Sequence, residues 1–223
     1  LFYQFFENDL GINRTQFGLT IGIQMLFWGI TAPLFGMIAD KYGSNRAAFV
    51  AFLLYIIGTY IVLNQPASSS IFLISMGVVI GTALGGTAVS VPVAAVGKYF
   101  SDKNRTISVG IVAGSASIGF FIMPIFTKFS NDIYGWQNTI QYFIYFLIFA
   151  AICSLFLFRK KYVETTSNSF TRDQTASKAL SEAFKHKGYM LLVAGFFVCG
   201  FQITLVATHI PGYIQQKGLP EWT

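Results

Sequence analysis

Six long apolar segments, with the stub of another ahead of them, fill most of this chain. Nearly every charge falls in the gaps between them. The segments are roughly Gln16–Ala39, Arg46–Leu63, Ile71–Gly97, Thr106–Thr127, Ile140–Phe158 and Tyr189–Ile214. An α-helix needs about 20 residues to cross the ~30 Å hydrocarbon core of a bilayer, and each segment comes close to that. None carries Asp, Glu or Lys in its middle, where a charge would be costly. Charged residues are 11% of the chain and apolar ones 54%. Soluble domains run at about 25% charged, and this chain lacks the polar shell they need. The pattern predicts an all-α, polytopic membrane protein.

The position of the charges predicts how the chain threads. Take the stub as span 1 and the long segments as spans 2 to 7. The 2–3, 4–5 and 6–7 gaps hold twelve basic residues: Lys41, Arg46, Lys98, Lys103, Arg105, Arg159, Lys160, Lys161, Arg172, Lys178, Lys185 and Lys187. The opposite side holds three, Arg14, Lys128 and Lys217. The positive-inside rule assigns the first set of gaps to the cytoplasm, and the assignment alternates without conflict. A multi-pass protein of the cytoplasmic membrane is expected, with the bilayer as its solvent. The net charge of +6 then reads as topology and not as nucleic-acid binding. Leu1–Glu7 reads as the tail of a first helix whose start lies upstream, and Lys217–Thr223 as a loop leading onward. Cys153 and Cys199 fall inside spans and read as small apolar residues. Two cysteines and two histidines form no recognisable metal cluster, so neither metal nor cofactor is expected.

The gaps are short except for 159–187, which is long, polar and basic. It divides the chain into an N-terminal bundle (1–158), a cytoplasmic linker (159–187) and the first helix of a second bundle (188–223). Thr171–Gln174 has a capping-box pattern. Ala176, Leu180, Ala183 and Phe184 then share one helical face, which predicts a short amphipathic helix, interfacial or solvated. Spans 3 and 6 are crowded with large apolar side chains and read as lipid-facing. Spans 4 and 5 instead carry glycines with small hydroxyl residues: Gly77, Gly81, Gly85 and Gly86, then Gly110, Gly114 and Gly119. Glycines at such spacing let helix backbones approach closely, and the sequence suggests that spans 4 and 5 seat against each other beside a central pathway. Pro33, Pro92 and Pro124 lie in or near span ends and can bend them.

The sharpest local signal is the 2–3 turn, where Gly36, Asp40, Lys41, Gly43 and Arg46 make the spacing G-x-x-x-D-K-x-G-x-x-R. Gly36 permits close packing, and Gly43 supplies the positive φ that a tight reversal demands. Asp40 can pair with Arg46 or face a helix N-terminus, a contact able to act as a latch between two conformations. This spacing resembles the signature of the major facilitator superfamily, with Lys41 where Arg is usual. The long basic loop after span 6 matches that family's two six-helix halves. The resemblance covers the whole chain as the end of helix 1 through helix 7 of a truncated major-facilitator-type bundle. It implies alternating access, with a substrate site near the midplane between the halves. A second stretch, Tyr99, Phe100, Arg105, Gly110, Gly114 and Gly119, is similar to a run in the monocarboxylate and oxalate/formate porters. Ser108 stands where Ala is usual, and the glycine spacing is only approximate. Gly135-Trp136, the stretch Phe197–Gln202 and Thr208–Pro211 fit the same group.

Polar side chains inside the spans must find a partner or water. Gln24, Thr82, Ser90, Ser115, Gln202 and His209 are candidates to line a cavity, interhelical hydrogen bonds being the alternative. His209 is also a candidate for proton coupling, since imidazole titrates near neutral pH. The resulting expectation is a secondary active transporter of a small solute, an organic anion such as a monocarboxylate, with a proton or counter-anion as its second partner. Other solute classes (drug or metabolite efflux, sugar) and a seven-helix receptor are the alternatives. An enzyme is not expected: there is no H-E-x-x-H pattern, no pair of intramembrane Asp and no pair of histidines within spans.

Overall fold

The computed structural model describes residues 3–64, 68–88, 90–99, 102–157 and 176–216. They are helical almost throughout, in agreement with the all-α expectation. The chain divides into two compact units, Leu1–Glu164 and Thr165–Thr223.

The first unit opens with α1 (Tyr3–Leu10), the end of span 1. Helix α2 (Arg14–Tyr42) follows after a short turn. Its start is fixed by a reciprocal capping box: Gln16 N donates to Asn13 Oδ1 at 2.8 Å, and Asn13 N donates to Gln16 Oε1 at 3.0 Å. Helix α3 (Ser44–Asn64) is span 3. Span 4 is irregular. It runs as α4 through Ser69–Phe72, a π-helical stretch Leu73–Val79 and Ile80–Thr87, turns extended at Ala88 (ψ 168°), and resumes as α5 (Ser90–Tyr99). A continuous helix over Ile71–Gly97 is therefore not what forms. The helical run Asp102–Leu157 is broken at Gly135 (φ 78°, ψ 164°) into α6 (102–134) and α7 (136–157), which are spans 5 and 6. As one rod its 56 residues would reach about 80 Å, far beyond any bilayer. The turn expected over 129–138 contracts to the single residue Gly135.

Spans 2 and 4 meet along a glycine seam. A methyl added at Gly77 would sit 3.5 Å from Ile23 Cβ. One at Gly81 would sit 2.8 Å from the Gln24 carbonyl, and one at Gly85 would sit 2.8 Å from Ala32 N and collide with Thr31 Oγ1. Contact positions rise together on both helices, so spans 2 and 4 run parallel. Gly86 meets Ala51 and Phe35, whereas Gly58 meets Ile80, so span 3 runs antiparallel to span 4. This is the relative threading that the alternating charge pattern predicted. Thr31 Oγ1 crosses the seam, sharing its proton between Phe27 O (2.7 Å) and Thr82 O (3.2 Å).

Two apolar clusters surround the seam. Phe35, Ala39, Ala47, Ala51 and Val91 gather at the end that carries the 2–3 turn. Phe6, Ile12, Val62, Phe72, Ile80, Trp136, Ile140 and Ile144 gather toward the other end. Spans 3 and 6 thus each pack one face inward, Val62 sharing a cluster with Trp136 and Ile140. Their other faces leave Leu53, Ile57, Tyr145, Phe149 and Phe156 exposed, which fits the lipid-facing reading for those faces only. The seating of span 5 against span 4 through its glycines is corrected: nothing lies within 4 Å of a Cβ built at Gly110, Gly114 or Gly119. The close approach belongs to spans 4 and 2. Large side chains of α6, among them Ile107, Ile111, Phe120 and Phe121, are exposed.

The second unit holds α8 (Ala176–Lys185) and α9 (Lys187–Gln216). Helix α8 is strongly amphipathic, as its spacing predicted, while its expected capping box lies outside the described residues. His186 alone separates the two helices, and its Nδ1 accepts from Tyr189 N at 3.3 Å. Phe184 and Tyr189 pack edge to face across this corner, 6.3 Å apart. Leu191, Phe196, Phe197 and Phe201 of α9 are exposed. Such apolar expanses do not persist in water on a monomer and mark surfaces made for lipid or for other helices.

The seam generates a prediction. Gly85→Ala should destabilise the protein by about 1–3 kcal/mol, the usual cost of overpacking against atoms that cannot yield. Gly29→Ala, where nothing lies within 4 Å of the added methyl, should leave the melting temperature in detergent unchanged. Equal melts for the two variants would mean that the helices are not held as closely as the seam requires.

Candidate functional site

The 2–3 turn is built by burying its alanines and exposing its charges. Ala39 and Ala47 are anchored in the cluster with Phe35, Ala51 and Val91. Asp40, Lys41 and Arg46 therefore face outward, each exposed. Between them Gly43 adopts φ 97°, ψ 143°, which a side chain would strain. Its N–H donates to Ala39 O (3.0 Å) and its carbonyl accepts from Ala47 N (3.2 Å), so one residue closes one helix and opens the next. Lys41 Nζ lies 5.2 Å from the Tyr42 ring centroid, a cation–π distance. Gly36 differs from expectation, since no atom lies within 4 Å of its built Cβ. The turn thus displays three charges of both signs on a rigid reversal, fit for electrostatic contact with another element.

The 4–5 turn lies at the same end. Tyr99 closes α5, and Phe100 is outside the described residues. Arg105 lies in the first turn of α6, and its side chain is exposed. In the sequence this turn also carries Lys98 and Lys103.

A cavity of about 420 Å³ lies among the helices of the first unit. Phe6 lines it from α1, Gln24 from α2, Tyr55, Thr59 and Val62 from α3, Met76 and Ile80 from α4, Met123 from α6, and Ile140, Phe143, Phe146 and Leu147 from α7. Of the cavity-lining candidates, the structure brings only Gln24 here, and it is 8% exposed. Thr82 contributes its carbonyl to Thr31 across the seam. Ser115 is exposed and donates to Val112 O (2.7 Å). Gln202 is exposed in the second unit, and the side chains of Ser90 and His209 are outside the described set. Among the described residues that line it, the cavity has a carboxamide, a phenol and a hydroxyl but no cationic side chain. Those described groups offer no full positive charge to offset the desolvation of an anion. Among the described residues no group of His, Cys, Asp and Glu could hold a metal.

Sequence reasoning missed one polar contact. Trp136 Nε1 donates to Asp9 Oδ2, joining residues 127 positions apart. Gly135-Trp136 was legible as a motif, but its partner was not.

Five helical stretches in the described residues are long and apolar enough to cross a membrane, and the longest contains the break at Gly135. The family model of the Major Facilitator Superfamily matches residues 1–223. A probable nitrate transporter, NarT, of Staphylococcus epidermidis is 27% identical over 153 residues, covering 69% of this chain and 38% of that protein. The corresponding protein of Staphylococcus haemolyticus is also 27% identical, over 68% of this chain and 38% of its own length. An uncharacterized transporter of Buchnera aphidicola is 25% identical over 211 residues, 94% of this chain and 51% of that protein. The chain spans about half the length, or less, of these curated relatives. With the family model matched from end to end and the spans in place, this chain belongs to the major facilitator superfamily and is an integral, multi-pass membrane protein.

Proposed function

We propose that this chain forms most of one half, and the first helix of the other, of a secondary active transporter for small planar monoanions that works by alternating access. The division would be an N-terminal bundle (1–158), a cytoplasmic linker (159–187) and the opening helix of the second bundle (188–223). The observation that carries the reading is the 2–3 turn: Gly43 turns the chain so that Asp40, Lys41 and Arg46 stand exposed on a buried alanine base. A charged, rigid corner of this kind can make a contact in one state and break it in the other, biasing two conformations. Asp40 is the proposed latch.

Two observations bear on the substrate. The Tyr99 to Gly119 stretch resembles monocarboxylate and oxalate/formate porters, while the Staphylococcus relatives are named probable nitrate transporters. Nitrate and a monocarboxylate both present oxygens on a planar, trigonal centre and carry a single negative charge. One site chemistry serves both: a cation, with N–H donors in the anion plane. The described residues lining the apolar cavity of the first unit supply no such cation, so in this reading it comes from elsewhere. A proton moving with the anion or a counter-anion moving against it would complete the cycle. The basic 2–3, 4–5 and 6–7 turns are taken as cytoplasmic.

The full-length gene product in proteoliposomes tests this. Uptake of labelled nitrate or of a monocarboxylate, competed by unlabelled members of the same class and not by sugars, is expected. Competition by sugars or by large cations alone would contradict the substrate class. Asp40→Asn should slow turnover about tenfold, equivalent to ~1.4 kcal/mol on the limiting barrier, with normal insertion. Unchanged kinetics would remove the latch. An impermeant thiol reagent should label Ser68→Cys from outside and Ser101→Cys only from inside. The reverse pattern would invert the topology.

A further inference from the structure

We propose that Asp9 and Trp136 form a positioning clasp that holds α1 over one end of the apolar cavity and keeps that end closed. The proposal concerns the bundle itself and stands apart from the identity of the transported solute.

Phe6 and Asp9 are three residues apart on α1 and so lie on one helical face. Both address the same indole. The Phe6 ring meets Trp136 edge to face, with centroids 5.7 Å apart and planes at 85°. The Asp9 carboxylate accepts the Trp136 N–H. Two contacts of different direction fix both the rotation of α1 and its position along its axis. Packing alone would fix neither as firmly, because a ring contact tolerates sliding.

The indole is itself held in place. Gly135 reverses the chain just before it, with φ 78°. Across this reversal Thr139 Oγ1 donates to Gly135 O at 2.9 Å. That uses the only threonine proton, so Ser130 must be the donor in its 3.0 Å contact with Thr139. Both hydroxyls are buried. The start of α7, and Trp136 with it, is thus tied to the end of α6.

What the clasp holds is the cavity wall. Phe6 is 2% exposed and lines the cavity. It also packs on Phe72 of α4 at 5.2 Å and on Phe17 of α2 at 6.4 Å. If α1 slips, Phe6 leaves this knot and the cavity opens at that end. Trp136 is 7% exposed, so an indole N–H without its acceptor would be poorly hydrated. That cost drives α1 back to the closed position.

The test uses the full-length protein in liposomes, with Cys153→Ala and Cys199→Ala and a reporter Thr59→Cys in the cavity wall. A water-soluble maleimide reads its accessibility. Asp9→Ala should raise the labelling rate roughly tenfold, the opening expected when one hydrogen bond to a charged acceptor is lost. Trp136→Phe removes the N–H while keeping an aromatic ring for Phe6, and it should do the same. The double variant should label no faster than either single one, because both remove one bond. Asp9→Asn retains an acceptor oxygen and should label at the parent rate. Unchanged labelling in Asp9→Ala and Trp136→Phe, multiplicative effects in the double variant, or Asp9→Asn as fast as Asp9→Ala would each overturn the clasp. Size-exclusion profiles and melting temperatures identify any variant that fails to fold, and the conservative Trp136→Phe then carries the decision. Since no transport is measured, a wrong substrate assignment would leave this outcome untouched.

Discussion

The close approach of span 4 to span 2 is the contact on which the rest of the bundle rests. Helices in a bilayer gain nothing from leaving lipid for one another in the way soluble helices leave water, so they associate where small residues permit close packing. Gly77, Gly81 and Gly85 supply that surface on span 4, and span 2 answers with backbone at Thr20, Gln24 and Thr31. With these backbones in contact, the Thr31 hydroxyl reaches Thr82 O. The seam's parallel sense then dictates that span 3 returns antiparallel, which Gly58 and Gly86 allow on its two halves. The cluster of Phe35, Ala39, Ala47, Ala51 and Val91 follows from that arrangement, and it is the base that presents the charged 2–3 turn.

Span 4 combines this tight contact with two departures from regular helix, the π-helical stretch Leu73–Val79 and the extended residue Ala88. Irregular backbone at membrane depth is tolerated where protein surrounds it. The π stretch begins four residues before Gly77, on the stretch that meets span 2, and Gly77 and Ser75 are buried. The small hydroxyl residues of the spans are mostly satisfied at home. Thr20, Thr59, Ser75 and Thr87 donate to carbonyls four residues earlier at 2.8–3.1 Å. Their enrichment therefore reflects packing that small side chains allow, and only part of it marks a cavity.

The spans, and the relative direction of spans 2, 3 and 4, were legible because hydropathy and charge are summed over some twenty residues and survive local error. The 2–3 turn was legible because Gly43 needs a φ that few residues adopt, and the structure gives it 97°. The partner of each glycine face was not legible. Glycines on spans 4 and 5 look alike in sequence, yet those of span 4 meet span 2 and those of span 5 meet nothing within 4 Å. Spacing states that a helix can be approached and not by which neighbour. The break of α6 from α7 rests on one residue, Gly135, in a stretch whose propensity is helical on both sides. The Asp9–Trp136 bond joins positions that only the folded bundle brings together. Gln24, a candidate either to line a cavity or to bond across helices, borders the cavity of the first unit. Thr82 and Ser115 carried the same signal and are satisfied or presented elsewhere.

If spans 2 and 4 form the fixed spine of this unit, they stay together in every conformational state. A methyl on Gly77 would lie 3.5 Å from Ile23 Cβ, within the Cβ separation of a disulfide. The direct measurement is oxidation of the Ile23→Cys/Gly77→Cys pair in the full-length protein lacking Cys153 and Cys199, followed by solute uptake before and after reduction. The account predicts complete cross-linking with uptake unchanged by reduction. Failure to cross-link, or uptake that is blocked by the disulfide and restored by reduction, would contradict it.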